Sequence, residues 1–445
     1  MKPSRYSAAK RIVAFFCCLC LFGALILSAI GVFASAEDLS ELPLDTANTI
    51  YLYNIENKTP IVEKNCDTLI YPASTVKIMT GLIAIENLAG RLDEKIAILP
   101  EMLTNVEGQQ TNWLTPGEHP TVRDLLYHAI CGGYNDAIAI ITHVVSGGEA
   151  GFVALMNARA KELGMTSTSY TNATGIHNAA MVTTARDVAT LALVAHKIPL
   201  YMEMSSAADY VTEGLSKKQN FANRNYLMSK LRSQKYFNKL CKGMNAGFTV
   251  QGGECVVTVA QSNALSYLSI VMGGTTDAKG NNSAYNVTNK LISWAFRTYE
   301  YKEVIKEGTI ICELPVEMAA DVESVLVVPE SSMSFFLPKS TEVGKDLIID
   351  YTLTVDSLTA PITEGTSVGF ISILRGDEVL GTINLVTKFS VAKSEFLYAL
   401  EWIRSISQSR VFIASVISGV VIAAIYIISK SAFRASKSHK RGGFR

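Results

Sequence analysis

The chain has 445 residues, room for about three domains or two with attached segments, and its 49% apolar and 18% charged composition excludes disordered and collagen-like classes and points to membrane segments. Forty Lys and Arg balance forty Asp and Glu, but four of the basic residues precede residue 37 and six follow residue 429. The remaining 30 basic and 40 acidic residues give the body a net charge of −10, a sign that excludes nucleic-acid binding through a basic surface.

In chain order, the first element is an uncharged run from Ile12 to Phe33 that follows Lys2, Arg5, Lys10 and Arg11 and leads into Ala34-Ser35-Ala36. A charged start, an apolar stretch and small residues make a secretory signal over residues 1–36, with cleavage expected after Ala36. An uncleaved anchor is the alternative, because the run is also long enough to span a bilayer. Both readings export the body. Cys17, Cys18 and Cys20 lie in the signal; Cys66, Cys131, Cys241, Cys255 and Cys312 are scattered, odd in number and without metal spacing. A packed core rather than bridges is therefore expected to hold the fold, and neither metal nor cofactor is expected.

Residues 37–300 read as an α/β domain. Strand-like runs at Ile50 to Ile55 and Pro60 to Glu63 flank Glu56-Asn57-Lys58, and helical patterns follow at Val76 to Leu88 and Val122 to Val145. Over 301–392 the helical period disappears. Runs at Thr309 to Val316, Ser324 to Val328, Leu347 to Thr354, Val368 to Leu374 and Val379 to Val386 predict a small β-sandwich, with a hairpin turn at Arg375-Gly376-Asp377-Glu378. Residues 393–410 place Phe396, Leu397, Leu400, Trp402, Ile403 and Ile406 at helical spacing, an amphipathic connector. The uncharged run 411–429 is long enough to cross a membrane, and the basic tail 430–445 is expected in the cytoplasm by the positive-inside rule. The body is then tethered outside the cell.

The chemistry gathers around Ser74-Thr75-Val76-Lys77, which follows Tyr71-Pro72-Ala73 and opens an apolar helix. Three-residue spacing puts hydroxyl and amine on one helix face, close enough for proton transfer, so Ser74 is a candidate nucleophile and Lys77 its base. The spacing alone is weak, since Ser7 to Lys10 and Ser390 to Lys393 repeat it. Only the copy at 74 has both the Pro-Ala lead-in and a continuing helix. Thr121 with Asp124 and Thr184 with Asp187 read as helix capping boxes, and Gly117 and Gly175 as turns.

With these segments, the sequence resembles the low-molecular-mass penicillin-binding DD-carboxypeptidases almost end to end. The resemblance rests on Pro-Ala-Ser-Thr-Val-Lys at 72–77, Leu-Thr-Pro-Gly-Glu at 114–118, Thr-Val-Arg-Asp-Leu-Leu-Tyr at 121–127 and Asn-Asp-Ala at 135–137. Asn-Ala-Thr-Gly at 172–175, Thr-Thr-Ala-Arg-Asp at 183–187 and Leu-Ile-Ser-Trp-Ala-Phe-Arg at 291–297 extend it. It implies a serine β-lactamase-like α/β domain, a β-sandwich and a C-terminal membrane helix. It also implies removal of the terminal D-alanine of peptidoglycan stem peptides and covalent inhibition by β-lactams. Ser74 would be acylated, Lys77 the base, Asn135 the amide of the second motif, and Asn245, Gly247 and Phe248 the substrate-binding strand. The backbone N–H groups of Ser74 and Phe248 would form the oxyanion hole.

The sequence departs from the family pattern at three positions: Gly133 stands where a serine hydroxyl is expected, and Asn245-Ala246-Gly247 replaces Lys-Thr-Gly. Tyr134 is a candidate replacement hydroxyl; Lys242 is expected to point away, three residues from Asn245 on an alternating strand. With no cation at 245, Lys77 is expected to lose a charge that lowers its pKa, and restoring Ser, Lys and Thr at 133, 245 and 246 is expected to raise the rate about tenfold or more. The alternative is a degenerate relative that binds cell-wall peptide or a partner without efficient turnover.

Overall fold

The computed structural model describes residues 39–104, 106, 109–215 and 218–439, with side chains through Phe433. The signal over residues 1–36, its Ser7 to Lys10 segment and the last six residues of the basic tail lie outside them. The chain divides into two compact units: one runs to Glu300 and includes Phe336–Lys339, the other holds Tyr301–Phe335 and continues from Ser340.

The first unit is built on β1 (Thr49–Asn54), β2 (Thr59–Lys64), the small strands β3 (Asp209–Val211) and β4 (Asn220–Ala222), and the long strands β5 (Cys241–Thr249), β6 (Gly253–Ser262) and β7 (Leu265–Gly274). All but β3 and β4 form one sheet in the order β2-β1-β7-β6-β5, antiparallel throughout. Alternation sends Ile50 and Leu52 to one core and Tyr51 to the other, and splits Val256 from Val257 and Ile270 from Val271 in the same way. Helices α1 (Lys77–Leu88), α2 (Val122–Tyr127), α3 (Asn135–Ser146), α4 (Glu149–Glu162), α5 (Ala185–His196) and α6 (Pro199–Ser206) contribute to the first core. Helix α7 (Ser283–Thr298) contributes Leu291, Ile292 and Trp294 to the second. Each fully buried Leu or Ile stabilises the fold by about 1.5–3 kcal/mol. Among the described residues of this unit the cysteines are Cys66, Cys131, Cys241 and Cys255, all buried free thiols, so packing and not bridging holds it.

The run from Val122 to Val145 is not the single helix its periodicity predicts. A π-type turn at His128–Gly132 follows α2, and Gly133 then takes φ +67°, a left-handed conformation through which an α-helix cannot continue. The break starts α3 at Asn135, with Asp136 beneath it. Asp136 is buried and accepts from the backbone N–H groups of Asn112, Leu114 and Ala137, anchoring the loop before α2. Thr121 and Asp124 form a reciprocal capping box on α2. At Thr184 only half of one forms: its hydroxyl caps the Asp187 N–H, while Asp187 turns to Ser167 and Thr168.

The second unit is all-β apart from its C-terminal helices. Strands β8 (Tyr299–Ile305) and β11 (Met333–Pro338) belong to it in part, and β9 (Cys312–Glu317), β10 (Ser324–Pro329), β12 (Ile348–Leu353), β13 (Leu358–Thr359), β14 (Ser367–Arg375) and β15 (Glu378–Thr387) in full. Six of them form a sheet in the order β12-β14-β15-β10-β9-β13. Leu314, Val316, Val325, Val327, Val368, Ile371, Ile373 and Leu385 fill its core. The hairpin turn at Arg375-Gly376-Asp377-Glu378 forms, with Gly376 at φ +60°. Helix α8 (Glu395–Gln408) leaves Phe396 and Trp402 72% and 66% exposed, an uncovered apolar face. Helix α9 (Arg410–His439) contains a 24-residue stretch, Arg410–Phe433, with mean hydropathy 2.7, long and apolar enough to cross a membrane.

Candidate active site

Ser74 sits in a buried 3₁₀ turn, Ala73–Val76, that feeds directly into α1 at Lys77. The preceding Ala73 takes φ +49°, a left-handed conformation that costs a non-glycine residue about 1–2 kcal/mol. Tight packing holds it there: a Cβ at Gly175 would lie 2.1 Å from the Ala73 carbonyl oxygen. The Asn172-Ala173-Thr174-Gly175 segment is in turn tied to α1 by the Thr80 hydroxyl, which donates to the Ala173 carbonyl at 2.6 Å.

On the other side, β5 presses its backbone onto the nucleophile. A Cβ at Gly247 would come within 2.3 Å of Ser74 Cβ and 2.6 Å of its Oγ, so only glycine fits there. Phe248, next in the strand, pairs with Glu254 and leaves its ring 51% exposed.

Lys77 Nζ lies 3.4 Å from Ser74 Oγ in this enclosed corner. Burial, helped by the nearby Arg224 charge, pulls its pKa down to about 7. The expected penalty of an uncharged residue at 245 is therefore corrected in part. Removing the amine from water supplies most of the shift, and a cation from another part of the chain supplies some of the rest. A lysine with that pKa is substantially neutral near neutral pH and can accept a proton from serine.

Asn135 is buried, and its amide nitrogen donates to Gln109 Oε1 at 2.9 Å while Oδ1 has no partner. It lines a cavity of about 500 Å³ together with Gln109, His143, Glu149, Asn172 and Thr174. Asn245 is buried too, again with an unpartnered Oδ1. Lys242 is exposed, as expected, although strict alternation is not the reason. The ladder between Lys242 and Asn245 is irregular, with Gly243 and Met244 both at positive φ, so counting residues does not fix the facing there. The Tyr134 ring packs edge-on against Phe221 and beside His128.

Sequence reasoning overlooked Arg224, which occupies the space beside Gly133. A Cβ there would lie 2.8 Å from Arg224 Cδ. Its only sequence signal was the absence of a cation at 245, which leaves a vacancy for one to fill.

Residues 43–276 match the family model for D-alanyl-D-alanine carboxypeptidase, and residues 299–393 match the model for the penicillin-binding protein 5 C-terminal domain. The chain is 26% identical over 366 residues to D-alanyl-D-alanine carboxypeptidase DacF of Bacillus subtilis, covering 81% of this chain and 90% of that protein. It is 28% identical over 355 residues to DacC of Escherichia coli, covering 78% and 84%. Among solved structures, penicillin-binding protein 5 from Haemophilus influenzae aligns with a TM-score of 0.55 at 25% identity, covering 78% of this chain and 98% of that one. The enclosed serine–lysine corner thus lies within a fold and sequence pattern shared along most of the chain, which belongs to the D-alanyl-D-alanine carboxypeptidase family of low-molecular-mass penicillin-binding proteins.

Proposed function

We propose that the chain is a membrane-anchored serine D-alanyl-D-alanine carboxypeptidase that acts on peptidoglycan stem peptides and is acylated by β-lactams. The observation that carries this reading is Ser74 beside a buried Lys77 whose pKa is about 7. Neutral Lys77 takes the hydroxyl proton as Ser74 Oγ attacks the carbonyl carbon between the last two D-alanines. The backbone N–H groups of Ser74 and Phe248 hold the developing oxyanion. The C–N bond then breaks, the departing amine takes the proton from Lys77, and water hydrolyses the ester. Asn135 would hold the peptide after its amide leaves Gln109. Residues 37–300 form the catalytic domain in this reading, and 301–392 the β-rich domain. Residues 393–410 are the connector, 411–429 the membrane span and 430–445 the cytoplasmic tail, with the body outside the cell.

A second reading, a relative with little turnover, is favoured by Gly133, Asn245 and Ala246 and by the engaged amide of Asn135. Mass spectrometry of the full-length, detergent-solubilised protein after incubation with a β-lactam separates the two. The expected result is one covalent adduct, on Ser74, that disappears in Ser74→Ala. No adduct, or an adduct that persists in that variant, contradicts the proposal.

A further inference from the structure

The side of the site facing Ser74 holds a second cavity, about 140 Å³, lined by Gly247, Ala246, Phe248, Tyr285 and two arginines, Arg224 and Arg232. Two of its lining residues also border the catalytic corner: Gly247, whose backbone packs on Ser74, and Arg224, whose Cδ lies beside Gly133. We infer that Arg224 and Arg232 form the anchor for the substrate's terminal carboxylate, taking over from the cation absent at 245. This rests on the acyl-transfer reading above and adds the residues that select the substrate's end.

Three observations converge on it. First, the two guanidinium groups are close enough that the charge of Arg232, after burial, holds the pKa of Arg224 below its usual range. Among the described residues neither takes part in an ion pair. The acid at the cavity wall, Glu254, accepts from the Thr276 hydroxyl. Second, Arg224 Nε is buried without a hydrogen-bond partner. A buried charged donor left unpaired is costly, and a bidentate carboxylate would satisfy it. Third, Arg224 packs against the position where the sequence departs from the family pattern, Gly133. Its Cδ stands where the Cβ of any larger residue would project, and its backbone N–H donates to the Cys131 carbonyl at 2.9 Å, fixing it to the same turn. The cavity is close in size to one that admits benzene, which suits a terminal alanine with its carboxylate.

The test compares acylation of full-length protein by benzylpenicillin and by its methyl ester, which removes the negative charge and keeps the reactive ring. The acid should react at least about tenfold faster than the ester. Arg224→Gln should abolish most of that preference and Arg232→Gln part of it, with Arg224→Lys restoring some. Equal rates for acid and ester in the unaltered protein overturn the inference, as does an unchanged preference in both glutamine variants. Arg232 is exposed, so its variant and the comparison in unaltered protein stand even where Arg224→Gln fails to fold. No adduct with either reagent contradicts the acyl-transfer reading instead. The anchor is then decided on Ser74→Ala protein by ligand-observed NMR, comparing N-acetyl-D-Ala-D-Ala with its C-terminal amide. Preference for the acid that is lost in Arg232→Gln supports it, and no preference overturns it.

Discussion

The two sides of the site differ in how they are built. On one side, the nucleophile and its base are neighbours in sequence, held by the start of a helix and sealed by tight backbone contacts from Gly175 and Gly247. On the other, the positive charge comes from Arg224 and Arg232, which lie between β4 and β5 and reach the site only through tertiary packing around Gly133 and Gly247. The first side is fixed by local geometry and tolerates little. The second needs a positive charge of the right reach, which more than one position of the fold can supply.

The contrast is tested hardest on the local side. Lys77→Met removes the base without adding bulk and should slow Ser74 acylation by about 10²- to 10⁴-fold in a stopped-flow or mass-spectrometric time course. The same variant also reads out burial. Because the folded-state pKa lies below the unfolded one, Lys77 makes the native protein gain stability as pH rises above about 7. That part of the pH dependence of thermal melting should vanish in the methionine variant.

Next in size is Gly247→Ala, whose added carbon meets Ser74 at 2.3 Å. Acylation should fall by at least about tenfold, with stability lower by about 1–3 kcal/mol. Unchanged kinetics would mean β5 gives way freely.

On the opposite side the effects should be smaller, and one reverses an expectation from the sequence. Gly133→Ser does not restore a hydroxyl at no cost. It forces a left-handed serine and displaces Arg224, so it should lower stability by about 1–2 kcal/mol and weaken the preference for acid over ester. Asn245→Lys alone should raise acylation by less than about tenfold, because Arg224 already bears on Lys77. A larger gain would show that the cation belongs at 245 and break the comparison. The smallest effect is reserved for the Ser-x-x-Lys copy at 390–393. Ser390 lies outside any helix and accepts from the Glu364 N–H, while Lys393 pairs with Glu395, so Ser390→Ala should leave acylation unchanged.

What was legible in the sequence follows the same division. Short-range patterns translated well: the strands on either side of Glu56-Asn57-Lys58, the helix after Ser74, the cap at Thr121, the turn at Arg375-Gly376 and the long apolar run of α9 are set by residues a few positions apart. Two local features stayed hidden because an apolar period continues through them. Gly133 breaks an apparently continuous helix, and the bulge at Gly243 and Met244 defeats the counting of strand faces. Arg224 was out of reach for another reason. It follows a three-residue strand pairing in an aperiodic stretch, and its role arises only when the chain brings that stretch against Gly133. The missing cation at 245 signals that a charge is absent, but not which residue supplies it.

The central claim is that burial beside Ser74 makes Lys77 a base at neutral pH, and the pH profile of β-lactam acylation on full-length protein tests it most directly. The charged amine cannot accept the serine proton, so the rate should be low in acid, rise through a midpoint at about 7 and level off above it. Arg224→Gln should move that midpoint upward. A flat profile, or a midpoint near the ordinary lysine value of about 10.4, would contradict the account.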